Sequence, residues 1–226
     1  MNQSARSSKQ QTVRRLWPQA AAVAILTLLA AWYNLSGRST SPLGSFLTRD
    51  DYMPRAQLNA LQAAVLADAE QQTRDDIVYK DGYFVGGDPP PKIGVCTDVV
   101  MRAYRAAGVD LKRAVNADIR RRRGAYRITK PDPNIDYRRT RNLDVFFKRY
   151  AKQLPIEGAR ADWRPGDIVI FDTRSNGYPD HIAVVANGIA QDGGPTIIHH
   201  WPGHYVMQSE FVGWLPILHH YRWQKG

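Results

Sequence analysis

Cysteine is nearly absent from this 226-residue chain, whose only one is Cys96. A single thiol excludes a disulfide within the chain and any metal site built from several thiolates. Acidic charge is also scarce: 21 Asp and Glu stand against 31 Lys and Arg, and the resulting net charge of +10 favours anionic surroundings, either nucleic acid or an envelope surface. No internal repeat is visible, which removes solenoid architectures. Only one apolar run, residues 16–35, is long enough to cross a bilayer. What remains is an ordinary globular composition, 43% hydrophobic and 23% charged, which can build a core and rules out wholesale disorder.

The apolar run follows Lys9, Arg14 and Arg15 and is flanked by Trp17, Trp32 and Tyr33. Basic residues on the N-terminal side put residues 1–15 in the cytoplasm and send the rest outward, while aromatic flanks suit the membrane interface. Two outcomes follow: an uncleaved anchor, the favoured reading, or a signal peptide processed near Leu29-Ala30-Ala31. Residues 36–51, rich in Ser, Gly and Pro at their start, read as a linker, and residues 52–226 as one folded domain. Export makes an isolated thiol a liability, so Cys96 asks for a reason.

Within the domain, a helix is expected from about Pro54 to Gln72, with Leu58, Leu61, Val65 and Ala69 on one face. A Gly- and Pro-rich loop over 81–94 then leads to Cys96, which opens a second helical pattern (Val99, Val100, Ala103, Tyr104, Ala107) that stops at Gly108. Asp110 can cap a third helix running into Arg120-Arg121-Arg122-Arg123, a run that reads either as an anion-binding surface or as a solvated helix end. The polar loop 130–142 offers Asp132, Asn134 and Asp136 for substrate contacts or internal hydrogen bonds, and Asn142 is placed to cap a helix carrying Leu143, Phe146, Phe147 and Tyr150. From Trp163 the period becomes extended, with strands expected at 168–171, 180–185, 196–201 and 217–223. Helices first and an antiparallel meander second define an α+β domain.

Chemistry concentrates on Cys96. At the first turn of a helix, the dipole and free backbone N–H groups favour a thiolate, although most lone cysteines are small core residues. A thiol nucleophile needs a base, and the base needs a partner that fixes its tautomer. His181 begins one expected strand and His199 ends near it if the strands pair as a hairpin; alternation sends His199 and His200 to opposite faces, and His199 is the choice for the partner. His199, His200 and His204 lack a convincing zinc spacing, so no metal is expected, and His219 and His220 read as bystanders.

Cysteine at a helix start, Pro165-Gly166-Asp167 before a strand, His181-Ile182-Ala183-Val184-Val185, and then a strand ending in a polar residue resemble the NlpC-type cell-wall peptidases of papain-like fold. More closely, Gly94 to Val100, Pro131 to Asn142, Pro165 to Val169 and Ile197-Ile198-His199 resemble the bacterial family catalogued as domain of unknown function 1287, in order and spacing from about Leu58 to Trp223. The resemblance implies a papain-like domain with Cys96 as nucleophile, His181 as general base and His199 as third polar residue. It also implies an amide or peptide bond of peptidoglycan as substrate, no cofactor, and a place in the bacterial envelope, anchored in the inner membrane and facing the periplasm or secreted there after cleavage. Two departures stand out: Val95-Cys96-Thr97-Asp98 replaces the superfamily's Asp-Cys-Ser-Gly, and His200 occupies a position where the family commonly has Asn. Tyr83 lies in the region of the superfamily's oxyanion-stabilising tyrosine, and Asp98 can tie down the loop beside Cys96. An acyltransferase of the same fold acting on lipid or protein, and a non-catalytic envelope-binding module, are the alternatives; nucleic acid is not expected as a partner, because no aromatic-basic recognition motif accompanies the charge.

Overall fold

Asn59 decides where the first helix starts. In the computed structural model, which describes residues 58–157, 163–191, 194–210 and 216–223, its side chain accepts the Gln62 N–H at 2.8 Å and its own N–H is answered by Gln62 Oε1. Helix α1 therefore runs Ala60–Gln72, with Leu58 outside it, because Asn59 closes a capping box in extended conformation. The basic N-terminus, the apolar run and the linker lie outside the described residues. Among the described residues, no helix is long and apolar enough to cross a membrane.

Strands β1 (Val78–Tyr79) and β2 (Ile93–Gly94) form a short parallel pair that clamps the loop between them. Helix α2 follows at once, Cys96–Ala106, and Gly108 ends it at φ +79°, where a side chain would be strained. Helix α3 spans Leu111–Arg121, with the Asp110 carboxylate accepting the Arg113 N–H at 2.9 Å, as the sequence suggested. Its C-cap is Arg122, whose guanidinium turns inward to the Asp118 carboxylate at 2.6 Å; helix α4 (Arg123–Tyr126) is thereby a separate turn. Helix α5 runs Thr140–Tyr150. Asn142 does not cap it: the chain turns helical two residues earlier, and the Asn142 amide instead donates to the Asp136 carbonyl at 2.8 Å.

A six-stranded antiparallel sheet forms the second half, made of β3 (Lys152–Leu154), β4 (Ile168–Phe171), β5 (His181–Ile189), β6 (Pro195–His200), β7 (Val206–Glu210) and β8 (Ile217–Arg222) in the spatial order β3-β8-β4-β5-β6-β7. The architecture is thus α+β, helical first and antiparallel second. Strand alternation divides its apolar side chains: Ile168, Ile170, Ile182, Val184 and Ile198 join the helix-facing core with Val99, Val100, Tyr104 and Phe147, while Val169, Phe171, Ala183, Val185 and Ile197 cluster with Trp163 on the other face. Burial on both faces explains the uninterrupted Ile-Val-Ile-Phe run, and each such side chain contributes about 1.5–3 kcal/mol.

Gly166, at φ +88°, brings the turn before β4 against α1, where a Cβ would lie 2.9 Å from the Gln62 carbonyl oxygen. The next residue anchors the sheet's far side. Asp167 is fully buried and accepts from Arg222 Nε and Nη2 at 2.8 and 2.7 Å and from His220 Nε2 at 2.8 Å. The His220 ring stacks on Trp163 with centroids 3.9 Å apart. His220 is therefore a structural core residue, because a buried carboxylate requires donors. His219 is likewise engaged, with Asp144 Oδ1 at 2.7 Å.

Candidate active site

Cys96 occupies the first position of α2 and is 7% exposed. The Ile182 backbone N–H and the Thr140 hydroxyl lie close enough to the sulfur to favour its anion, yet burial dominates and pushes the thiol up to about 11. Loss of hydration thus outweighs the donors at the helix start, and the thiol's shift runs opposite to the thiolate that the helix start alone would favour. The sulfur faces a cleft of about 600 Å³ lined by Tyr79, Tyr83, Thr97, Arg139, Thr140 and Asp180, among others.

Asp98 holds that wall in place. Its carboxylate accepts the Val95 N–H at 2.8 Å and a two-pronged pair from Arg138 Nε and Nη2, both at 2.8 Å, with both side chains almost wholly buried. Arg138 also donates to the Gly82 carbonyl at 2.9 Å, so one ion pair ties the loop after β1, the start of α2 and the turn before α5 together. In loop 130–142, the Asp132 N–H donates to Asp136 at 2.7 Å and the Asn134 N–H to Asp132 at 2.9 Å, so the loop is internally bonded while Asp132 and Ile135 border the cleft.

His181 is the first residue of β5, one position from the amide that faces the sulfur. Its Nε2 lies 2.9 Å from His199 Nδ1, and His199 Nε2 lies 3.0 Å from Ser209 Oγ on β7. Burial first, and the neighbouring histidines second, push His181 down to about 3 and His199 down to about 4, so both rings are neutral near pH 7. Trp201 meets the His181 ring edge-on at 5.0 Å, and the Phe171 ring lies tilted against it at 5.9 Å. Among the described residues, no hydrogen bond joins Cys96 to His181. The Ile182 N–H faces the sulfur, but alternation turns the His181 ring to the other face of the sheet, with Phe171, Trp201 and His199, and His181 does not line the cleft that Cys96 borders.

His200 takes the opposite face, as alternation requires. It is fully buried, Nε2 donates to the His204 carbonyl at 3.1 Å, and its ring meets Tyr79 edge-on at 5.1 Å. Tyr83 stands at the cleft's outer rim, 56% exposed, with its hydroxyl accepting from Asn134 Nδ2 at 2.8 Å. The tyrosine beside the thiol is instead Tyr79, pushed up to about 12 by burial first and then by the Cys96, Asp81 and Asp98 charges. Tyr79, Thr140 and Ser209 escaped the sequence reading; only the pairing of β1 with β2 separates Tyr79 from Tyr83, four residues on. Among the described residues, no group of three or more His, Cys, Asp or Glu side chains is placed to hold a metal ion.

The sequence of this α+β domain matches a known family. The chain belongs to the family described as Domain of unknown function (DUF1287), which matches residues 66–223. A relative from Escherichia coli (strain K12), "Uncharacterized protein YijF", is 34% identical over 212 residues, covering 90% of this chain and 98% of its own.

Proposed function

We propose that this domain is an exported cysteine hydrolase of papain-like, NlpC-type architecture that cleaves an amide bond in peptidoglycan. The observation that carries the reading is the placement of Cys96 at a helix start, in the wall of a cleft, with its sulfur against the Ile182 N–H of a strand whose first residue is a neutral histidine held by a second histidine. The apolar run at 16–35 supports a site of action outside the cytoplasmic membrane, with the chain anchored there or released.

The reaction begins from the neutral pair. On substrate binding the start of β5 must turn the His181 imidazole to the thiol, and the imidazole takes the thiol proton as sulfur adds to the amide carbonyl. A C–S bond forms and the carbonyl π pair moves to oxygen. The Cys96 backbone N–H and the Tyr79 hydroxyl receive that oxyanion. His181, now an imidazolium, gives its proton to the amine nitrogen as the C–N bond breaks. Water then adds to the thioester, His181 takes a proton from it, and collapse releases a carboxylate and returns the proton to sulfur.

Digestion of purified peptidoglycan by the full-length protein, with products identified by mass spectrometry, tests this reading. New amine and carboxyl termini should appear with wild type and vanish with Cys96→Ala. Identical product profiles from the two proteins would remove this polymer as the substrate.

A further inference from the structure

Tracing hydrogen-bond direction outward from His181 ends at a group that can only accept. Ser209 Oγ lies 3.1 Å from the Glu210 backbone carbonyl oxygen, and a carbonyl has no proton to give. When Ser209 Oγ donates to this carbonyl, its single hydroxyl proton is used. Ser209 Oγ can then only accept from the other partner at 3.0 Å, His199 Nε2, which must carry a proton. A neutral imidazole holds one proton, so His199 Nδ1 is bare and accepts at 2.9 Å from His181 Nε2–H. By the same count, His181 Nδ1 is left with a free lone pair.

We propose that Ser209 is a positioning residue that sets both histidine tautomers and so makes Nδ1 of His181 the basic nitrogen of the site. The inference rests on the reading of His181 as general base, and the sheet explains why it reaches so far. Ile197 pairs with Ser209 and His199 with Met207, so Ser209 shares a face with His199 across the β6–β7 ladder. Without the serine, His199 has no acceptor at Nε2 and gains nothing by keeping its proton there. Either tautomer of the pair then becomes accessible, and in the reversed one the His181 Nδ1 position is protonated and unable to accept from a thiol.

The test is long-range proton–nitrogen NMR on the full-length, nitrogen-15-labelled protein near pH 7, with wild type, Ser209→Ala and Ser209→Thr compared. Wild type should show pyridine-type Nδ1 and pyrrole-type Nε2 on both His181 and His199. Ser209→Ala should mix the two forms, and Ser209→Thr, which keeps the hydroxyl, should restore the wild-type pattern. Acylation of Cys96 by p-nitrophenyl acetate should fall on the order of tenfold in Ser209→Ala and recover in Ser209→Thr, a fraction of what a positioned base supplies. A pyridine-type Nε2 on wild-type His181, or tautomers identical in wild type and Ser209→Ala, would overturn the proposal. If the tautomers are as stated but Cys96 acylation ignores His181→Ala, the general-base reading fails while the role of Ser209 in fixing the tautomers stands.

Discussion

Cys96 and Asp98, two residues apart, settle opposite problems of charge at the start of one helix. The thiol is pushed up by burial and stays protonated, whereas the Asp98 carboxylate is equally buried and tolerated because Arg138 meets it with two donors and Val95 with a third. Replacing Asp98 by Ala leaves the Arg138 guanidinium buried without a counter-charge, so the expected cost is about 3–5 kcal/mol of folding stability, read by urea denaturation. An unchanged midpoint would mean that Arg138 finds water or another acceptor. Residue identity alone conveyed that His181 and His199 meet, as their hydrogen bond shows, and alternation separated His200 from them, but it did not convey that both rings lie on the sheet face away from Cys96. It did not single out Tyr79, since Tyr79 and Tyr83 both border the cleft and differ only in where the loop after β1 folds, where Tyr83 is held by Asn134, some fifty residues later.

Strands β4, β5 and β6 were legible because both their faces are buried and their apolar residues run together. Strand β7 (Val-Met-Gln-Ser-Glu) was not: it lies at the edge of the sheet with half its side chains towards solvent, and its pairing with β6 is what makes it a strand. Strand β3 is short and polar for the same reason. Helix boundaries followed capping chemistry more closely than apolar periodicity. Asn59 starts α1 against the apolar pattern, and Asn59→Ala should cost about 1 kcal/mol by thermal or urea unfolding. No loss would show that α1 is held by packing alone. The arginine run likewise divides at the element scale: all four are exposed, but Arg122 also reaches the buried Asp118 carboxylate.

Across the whole molecule, buried neutral histidines make folding sensitive to acid. Unfolded His181 and His199 bind protons as pH falls through about 6.5, but in the folded protein they resist until about 3 and about 4 respectively. The unfolded state therefore holds more protons in that window, and the histidine contribution, complete above pH 6.5, is lost as pH drops, at up to about 1.4 kcal/mol per pH unit for each ring. The Cys96 thiol acts in the other direction: its contribution is complete below about pH 9 and lost as pH rises towards about 11. Urea midpoints should fall steeply from pH 7 to pH 4 in wild type and more gently in a His181→Gln, His199→Gln double variant; equal slopes would place the acid sensitivity elsewhere.

The central claim is that His181 serves as the base for Cys96. Its most direct test is the rate at which p-nitrophenyl acetate acylates Cys96 in the full-length protein at pH 7.5, read by intact mass and by the peptide that carries the acetyl group. Wild type should form an acetyl thioester at Cys96 that neutral hydroxylamine removes, and His181→Ala should form it about a hundredfold more slowly. Equal rates in the two proteins would contradict the account.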